Sequence, residues 1–317
     1  MDLVQQAVDS IVRPPRAKYD YMELPLVLDT GEENSPLYIR HPITIDNKRG
    51  QKLICSLYHS PKMDVMTGGP CVMYLHGNAS SQNEGHFLVP NICNYGVFVF
   101  CFDFAGCGCS DGDYISLGYY EKQDTEYLIA FLNDSFRLGP FVLWGRSMGA
   151  ATSLLIRSGL LVGVIADSSF TSISGLCESI AIEKGVPSLI TPMVMWLLKT
   201  KIESLVGFSI NDVSPLKSVE TATVPLVIGH ATYDKMIPYE HCEMLFEKYA
   251  CEEKIIVPLP GGHNSKRENI WISECVKFIL NRFHIYHSQI VVCECRKLQS
   301  KEAHFSSFAQ LFDKVNK

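Results

Sequence analysis

From residue 71 onward, short runs of continuously apolar residues alternate with segments whose apolar positions recur at helical spacing. The runs are Cys71–Leu75, Val97–Phe102, Phe141–Trp144, Val162–Ala166, Leu226–Gly229 and Lys254–Val257. The stretches between them, near 84–94, 118–133, 148–158, 239–250 and 269–283, fit helices. Strands that are apolar on both faces must be covered on both faces. The alternation therefore predicts an α/β domain with a mostly parallel sheet between two helical layers. Upstream, Ile39, Ile43 and Ile45 alternate with polar neighbours, as do Leu53, Cys55 and Leu57, and Asn47-Lys48-Arg49-Gly50 supplies a turn. Residues 37–45 and 52–58 are expected to form an antiparallel hairpin leading into the sheet.

The pattern breaks once, between about 168 and 223, after the sixth predicted strand. Leu176, Ile180, Val186, Leu189, Met193, Trp196 and Leu198 there suggest inserted helical material with few strand signals. Two expectations stay open: a lid over the mouth of a site, or an insertion that simply buries itself against the domain. At the N-terminus, Leu3, Val4, Ala7, Val8, Ile11 and Val12 predict a helix over 2–12, ended by Pro14-Pro15 and followed by an irregular stretch to about Ser35. Its polar face carries Asp2 and Asp9 rather than basic residues. Docking against the domain is therefore expected, and peripheral membrane contact has weak support. The organisation is then an N-terminal segment 1–35, a domain over 36–285 and an extension over 286–317 that forms an extra helix or is partly mobile.

One stretch carries chemistry. Phe141-Val142-Leu143-Trp144 reads as a buried strand, Gly145-Arg146-Ser147-Met148-Gly149 matches G-x-S-x-G, and a helix of small residues follows. That order defines a nucleophile elbow, a strained turn that exposes a serine oxygen at a strand tip. Positions two residues away on either side must then lack side chains. A serine hydroxyl needs a base, the base needs an orienting carboxylate, and the oxyanion needs donors. The chain order for such an elbow is serine, acid, histidine. Asp234 falls just past the Leu226–Gly229 strand and is the favoured acid. Asp167, at the end of the Val162–Ala166 strand, is the rival. His263 follows the next strand in the loop Pro258-Leu259-Pro260-Gly261-Gly262-His263-Asn264, and of ten histidines it alone has both the order and the loop context. His230 and His241 are expected to be structural or solvent-facing. The oxyanion donors are expected to be the backbone N–H groups of Met148, at the helix N-terminus, and Asn78, in the loop His76-Gly77-Asn78-Ala79-Ser80. His76 is expected to stabilise that loop, and Gly77 to permit close backbone approach.

Composition narrows the possibilities. The 317 residues carry a net charge of −6 with no basic run, which argues against a nucleic-acid partner. No apolar run reaches the roughly 18 residues of a membrane span. The opening MDLVQQAVDSIV lacks the basic region and apolar core of a secretory signal. The twelve cysteines are scattered through predicted elements, so free thiols in the cytoplasm are expected. The pairs Cys107-Gly-Cys109 and Cys293-Glu-Cys295 lack zinc-finger spacing, and no metal or cofactor is expected. The glycine-rich turn 103–112 has no terminal Gly-Lys-Ser/Thr. It is expected to form a bend beside the site that contributes to a substrate wall, rather than a phosphate loop.

The runs YLHGNAS, FDFAGCGCSDGDYISLGYYE, LWGRSMGAATSL, IADSSF and PLPGGHN resemble the α/β-hydrolase superfamily over about residues 35–285. Within it they are similar to the branch grouped with serine aminopeptidase and prolyl oligopeptidase-type catalytic domains. The HGN and GHN loops are similar to those of protein depalmitoylases, and VRPPRAKYDY looks like the N-terminal segment of many hydrolases of this branch. The resemblance implies Ser147, Asp234 and His263 as a triad, with Asn78 and Met148 as donors. Gly-His-Ala-Thr-Tyr-Asp departs from the usual acid turn, where His-Gly precedes the acid, and altered loop packing is expected there. The expected function is a serine hydrolase acting on a carboxylic ester or thioester through an acyl-enzyme. The alternatives are a serine peptidase acting on short peptides and, from another class, a non-catalytic binding protein of the same fold. The oligomeric state is not specified.

Overall fold

The computed structural model describes residues 3–300 except 32, 188, 288–289, 291 and 294–298; of residues 3, 4, 6, 7, 299 and 300 only the backbone is described. The described strands are β1 Val27–Asp29, β2 Tyr38–Asp46, β3 Lys52–His59, β4 Gly69–Leu75, β5 Phe98–Phe102, β6 Leu138–Arg146, β7 Leu161–Asp167, β8 Leu226–Ala231, β9 Lys254–Leu259 and β10 Gln299–Ser300. They form one sheet in the order β10-β1-β2-β3-β5-β4-β6-β7-β8-β9. Pairing is antiparallel from β10 through β3 to β5 and parallel from β5 to β9. This is the α/β-hydrolase fold, with β6 in mid-sheet.

The helices are α1 Leu3–Val12, α2 Leu88–Ile92, α3 Tyr119–Phe136, α4 Met148–Leu155, α5 Ile173–Glu183, α6 Thr191–Val206, α7 Pro215–Val219, α8 Glu240–Lys248 and α9 Asn269–Arg282. The continuously apolar strands divide their side chains between two cores, as the two-residue period of a strand requires. Met73, Phe100, Leu143, Val164 and Ile228 join α3, α4 and α8 on one face. Val72, Val99, Val142, Trp144, Ile165 and Val227 join α2 and α9 on the other. Full burial of each such side chain stabilises the fold by roughly 1.5–3 kcal/mol before entropy is counted. Among the strands whose side chains are described, β9, at one edge of the sheet, is mostly half-exposed or exposed.

Two local outcomes differ from expectation. The stretch expected to be irregular contains β1, which is too short for a two-residue alternation to register in sequence and which pairs with both β2 and β10. The expected helix at 84–94 is instead a 3-10 helix over Gln82–Phe87, the short α2, and a 3-10 turn over Cys93–Tyr95. Pro90 within it has no N–H to carry a helical ladder. Of the extension over 286–317, most residues lie outside the described ones, as does Cys295.

The N-terminal helix docks as expected. Val8, Ile11 and Val12 are buried in the larger core, and α1 packs on α6. The insertion between β7 and β8 forms α5, α6, a 3-10 turn and α7. Leu198, Ile202 and Val206 repeat every four residues and bury one face of α6, while Leu189, Met193 and Trp196 stay exposed. No described helix is long and apolar enough to cross a membrane. The glycine-rich turn is pinned by Asp103, whose carboxylate accepts from the Gln82 and Cys109 amides, both at 2.7 Å, and from the Tyr19 hydroxyl at 2.5 Å. Arg16 donates to Ser110 O at 2.7 Å. The VRPPRAKYDY segment therefore straps this turn.

The β2–β3 hairpin and the 3-10 helix over Gln82–Phe87 contain imidazoles whose pKa values folding lowers. His41 and His59 stack with their Nε2 atoms 2.8 Å apart, and His86 Nε2 lies 2.9 Å from the Tyr58 hydroxyl. Burial, with His59 as neighbour, lowers His41 to about 4; burial, with Arg40 as neighbour, lowers His86 to about 4. A histidine depressed in the folded state contributes fully above its unfolded pKa near 6.5, because below it the unfolded chain takes up the proton first. That contribution is lost as pH falls from about 6.5 towards 4. The melting temperature is expected to drop over this window, and to drop less in His86→Gln. Equal pH dependence of the two proteins would refute the assignment.

Candidate active site

β6 delivers Ser147 to the C-terminal edge of the sheet, where α4 begins. Ser147 has φ 53° and ψ −116°, the strained conformation an elbow imposes. Its amide donates to Asp167 O of the adjoining strand at 2.8 Å, which holds the turn against β7. The elbow glycines have a steric reason. A Cβ on Gly145 would lie 2.2 Å from Gly149 O, and one on Gly149 would lie 1.9 Å from Leu75 O. Both are backbone atoms that cannot give way.

The acid and the histidine come from the next two strand ends. Asp234 lies three residues past β8, and its amide donates to Ala231 O at 3.2 Å. His263 lies four residues past β9. The two loops are joined directly, since Tyr233 N–H donates to Gly261 O at 3.0 Å. His263 Nδ1 is 2.6 Å from Asp234 Oδ2, and His263 Nε2 is 3.0 Å from Ser147 Oγ. Asp234 Oδ1 accepts from the Met236 and Ile237 amides at 3.0 and 2.9 Å. Burial works to raise the Asp234 pKa, but the hydrogen bond and charge of His263 and the Ile237 amide outweigh it and hold the carboxyl below its ordinary value.

The loop after β4 lies beside the elbow. A Cβ on Gly77 would sit 3.7 Å from Ser147 Cβ, an ordinary contact. The loop therefore approaches the serine as expected, but its closeness does not require glycine. Gly77 N–H is committed to Glu84 Oε2 at 3.0 Å. Asn78 follows it, with its Oδ1 buried and without a hydrogen-bond partner. On the other side, Met148 opens α4, so its N–H is among the first donors that have no acceptor within a helix.

The remaining expected residues separate cleanly. His76 is fully buried; its Nδ1 lies 2.7 Å from Gly77 O, and its Nε2 accepts from Phe104 N–H at 3.1 Å, so it stabilises the loop. His241 is buried, and its Nδ1 accepts from Thr171 N–H at 3.2 Å. His230 is buried, donates from Nε2 to Ile237 O at 2.7 Å, and lies 3.6 Å from Asp234 Oδ2. Neither faces solvent. Asp167 is not brought to His263; it pairs with Arg267 at 2.8 and 2.7 Å.

Sequence inspection missed Arg146, Arg267 and Glu84. Arg146 occupies the first unspecified position of G-x-S-x-G, and nothing in that motif marks its side chain. A cavity of about 450 Å³ on the α2–α9 side is walled by Tyr74, Trp144, Arg146, Arg267 and Trp271; no triad residue lines it.

The sheet order and the strand–turn–helix that carries Ser147 are those of the α/β-hydrolase fold. A family model described as the alpha/beta hydrolase fold matches residues 70–156, from β4 through the elbow helix. The matched region and the sheet order together give the chain the α/β-hydrolase fold. It is 28% identical over 223 residues to an uncharacterized Escherichia coli O157:H7 protein, YfhR, covering 66% of this chain and 70% of that one. It is 27% identical over 230 residues to the zebrafish (Danio rerio) lysophosphatidylserine lipase ABHD12, covering 68% of this chain and 58% of the lipase. Among solved structures, the Pyrococcus furiosus esterase Pf2001 superposes with a TM-score of 0.63 at 18% identity, covering 86% of this chain and 98% of the esterase.

Proposed function

We propose that this chain is a cofactor-independent serine hydrolase that cleaves a carboxylic ester or thioester through an acyl-enzyme. The observation that carries the proposal is the unbroken chain from Ser147 Oγ through His263 to Asp234, at 3.0 and 2.6 Å. Ser147 Oγ attacks the carbonyl carbon as its proton passes to His263 Nε2. Asp234 holds the imidazolium that forms. The tetrahedral oxyanion accepts from the Asn78 and Met148 N–H groups, each donor contributing roughly 3–4 kcal/mol of transition-state stabilisation. Collapse expels the alcohol or thiol, which takes the proton from His263. Water, deprotonated by the same imidazole, then releases the carboxylic acid and restores Ser147.

The ester half of this choice is supported by the name of the lipase relative. The proposal extends to a hydrophobic acyl group on the apolar content of the insertion, whose groove of about 630 Å³ is lined by Ile182, Val186, Pro192, Met195 and Trp196 and also by Glu178 and Lys199. A reducing, cytoplasmic setting belongs to the same proposal, because ten described cysteines, Cys293 aside, are free and most of them are buried. The test is turnover of a panel of esters, thioesters and aminoacyl amides of graded chain length. Esters or thioesters are expected to lead, with kcat/KM rising with acyl length. Amide turnover above that of the matched esters would replace this assignment with a peptidase.

A further inference from the structure

Two guanidinium groups converge on one backbone atom of the histidine loop. Arg146 Nη2 donates to His263 O at 3.0 Å, and Arg267 Nη2 approaches the same oxygen at 3.4 Å. Arg267 also donates from Nη1 to Ser265 O at 3.0 Å and approaches Gly262 O at 3.4 Å. It therefore grips the loop on both sides of the histidine.

Each guanidinium is itself held by a carboxylate from another element. Asp167, at the end of β7, takes Arg267 through both oxygens, and Ser168 Oγ accepts from Arg267 Nη2 at 3.0 Å. Glu84 Oε1 accepts from Arg146 Nη1 at 3.2 Å and from the Tyr74 hydroxyl at 3.1 Å. The second oxygen of Glu84 takes the Gly77 amide, the residue before the oxyanion donor Asn78. The four side chains are mostly shielded from solvent, at 25% and 15% exposure for Arg146 and Glu84 and 10% and 3% for Arg267 and Asp167. A planar fork suits this task, because one guanidinium can bind a carboxylate and a carbonyl at once while a lysine offers a single point charge.

We propose that Arg146 and Arg267 are positioning residues that clamp the His263 backbone, and that Glu84 couples this clamp to the oxyanion loop. The proposal rests on His263 being the general base. Its physical basis is the steep dependence of catalysis on placement, where a displacement of about 1 Å costs about 10²-fold. The His263 loop follows a half-exposed edge strand, so β9 alone defines the loop weakly. The two clamps tie it to β6 and to the end of β7 in the sheet interior.

The alternative is that these pairs only stabilise the fold, and a double-mutant cycle separates the two. Arg146→Lys and Arg267→Lys are made in the wild type and in His263→Ala, and kcat, KM and the melting temperature are measured with an activated short-chain ester. Each lysine variant is expected to lower kcat about 10- to 100-fold with KM within about twofold. That loss is expected to vanish in the His263→Ala background, where no imidazole remains to be placed. Equal losses in both backgrounds, or unchanged kcat in both lysine variants, would overturn the clamp. Wild-type turnover by His263→Ala itself would instead overturn the base assignment. Glu84→Gln leaves both guanidiniums in place and serves if a lysine variant unfolds. It is expected to lower kcat at least tenfold, and unchanged kcat there counts against the clamp.

Discussion

Replacing Ser147 with alanine is expected to lower kcat for ester hydrolysis by about 10⁶-fold, with the melting temperature nearly unchanged. Among the described residues, the Ser147 hydroxyl is the nucleophile recorded within hydrogen-bond reach of His263 Nε2, so its removal takes away the atom that forms the acyl-enzyme. The oxyanion amides survive the change, and catalysis of about 10³-fold over water should remain from them and from binding. The variant should also fail to react covalently with a fluorophosphonate. Labelling that persists in Ser147→Ala would place the nucleophile elsewhere. The backbone strain at φ 53° is imposed by the elbow rather than by the hydroxyl, so alanine should be tolerated there.

Asp234→Asn is expected to lower kcat by about 10⁴-fold, whereas Asp167→Asn should cost no more than about 10²-fold. The larger effect follows from hydrogen-bond polarity. Asp234 Oδ1 accepts from two backbone amides, so an asparagine must keep its carbonyl oxygen there. Its NH₂ group is then turned to His263 Nδ1, which must accept rather than donate. That tautomer puts the imidazole proton on Nε2, facing Ser147, where no lone pair remains to take the serine proton. At Asp167 the change weakens only the grip on Arg267. The comparison is made by kcat on one ester at the pH optimum of the wild type. A larger loss at Asp167 would move the acid to the end of β7.

The elbow, the acid and the histidine were legible because each is tied to a local signal. Two backbone clashes force Gly145 and Gly149, and strand ends just before Asp234 and His263 mark where loops can reach the same edge. Both carboxylates satisfy the chain order, and the preference for Asp234 over Asp167 came from its place just past the strand that follows the insertion; their partners, His263 and Arg267, then explain why the two carboxylates differ. The clamp was not legible. Glu84 and Arg146 are 62 residues apart, and Arg267 and Asp167 are 100 apart, with no periodicity linking them. β1 escaped notice because three residues carry too little pattern, and its partners are likewise distant in the chain.

The amino-acid sequence alone determined the parallel α/β architecture, because continuous apolar runs can be buried only between two layers. It also marked the residues on which the proposed mode of reaction rests, because the elbow and the two loops occur in the required order. Only the tertiary structure decided which face of the insertion is buried, which carboxylate meets the histidine, and which guanidiniums contact the His263 backbone. Those outcomes depend on contacts between residues far apart in the chain, whose side chains become neighbours only once the sheet has brought its strand ends together.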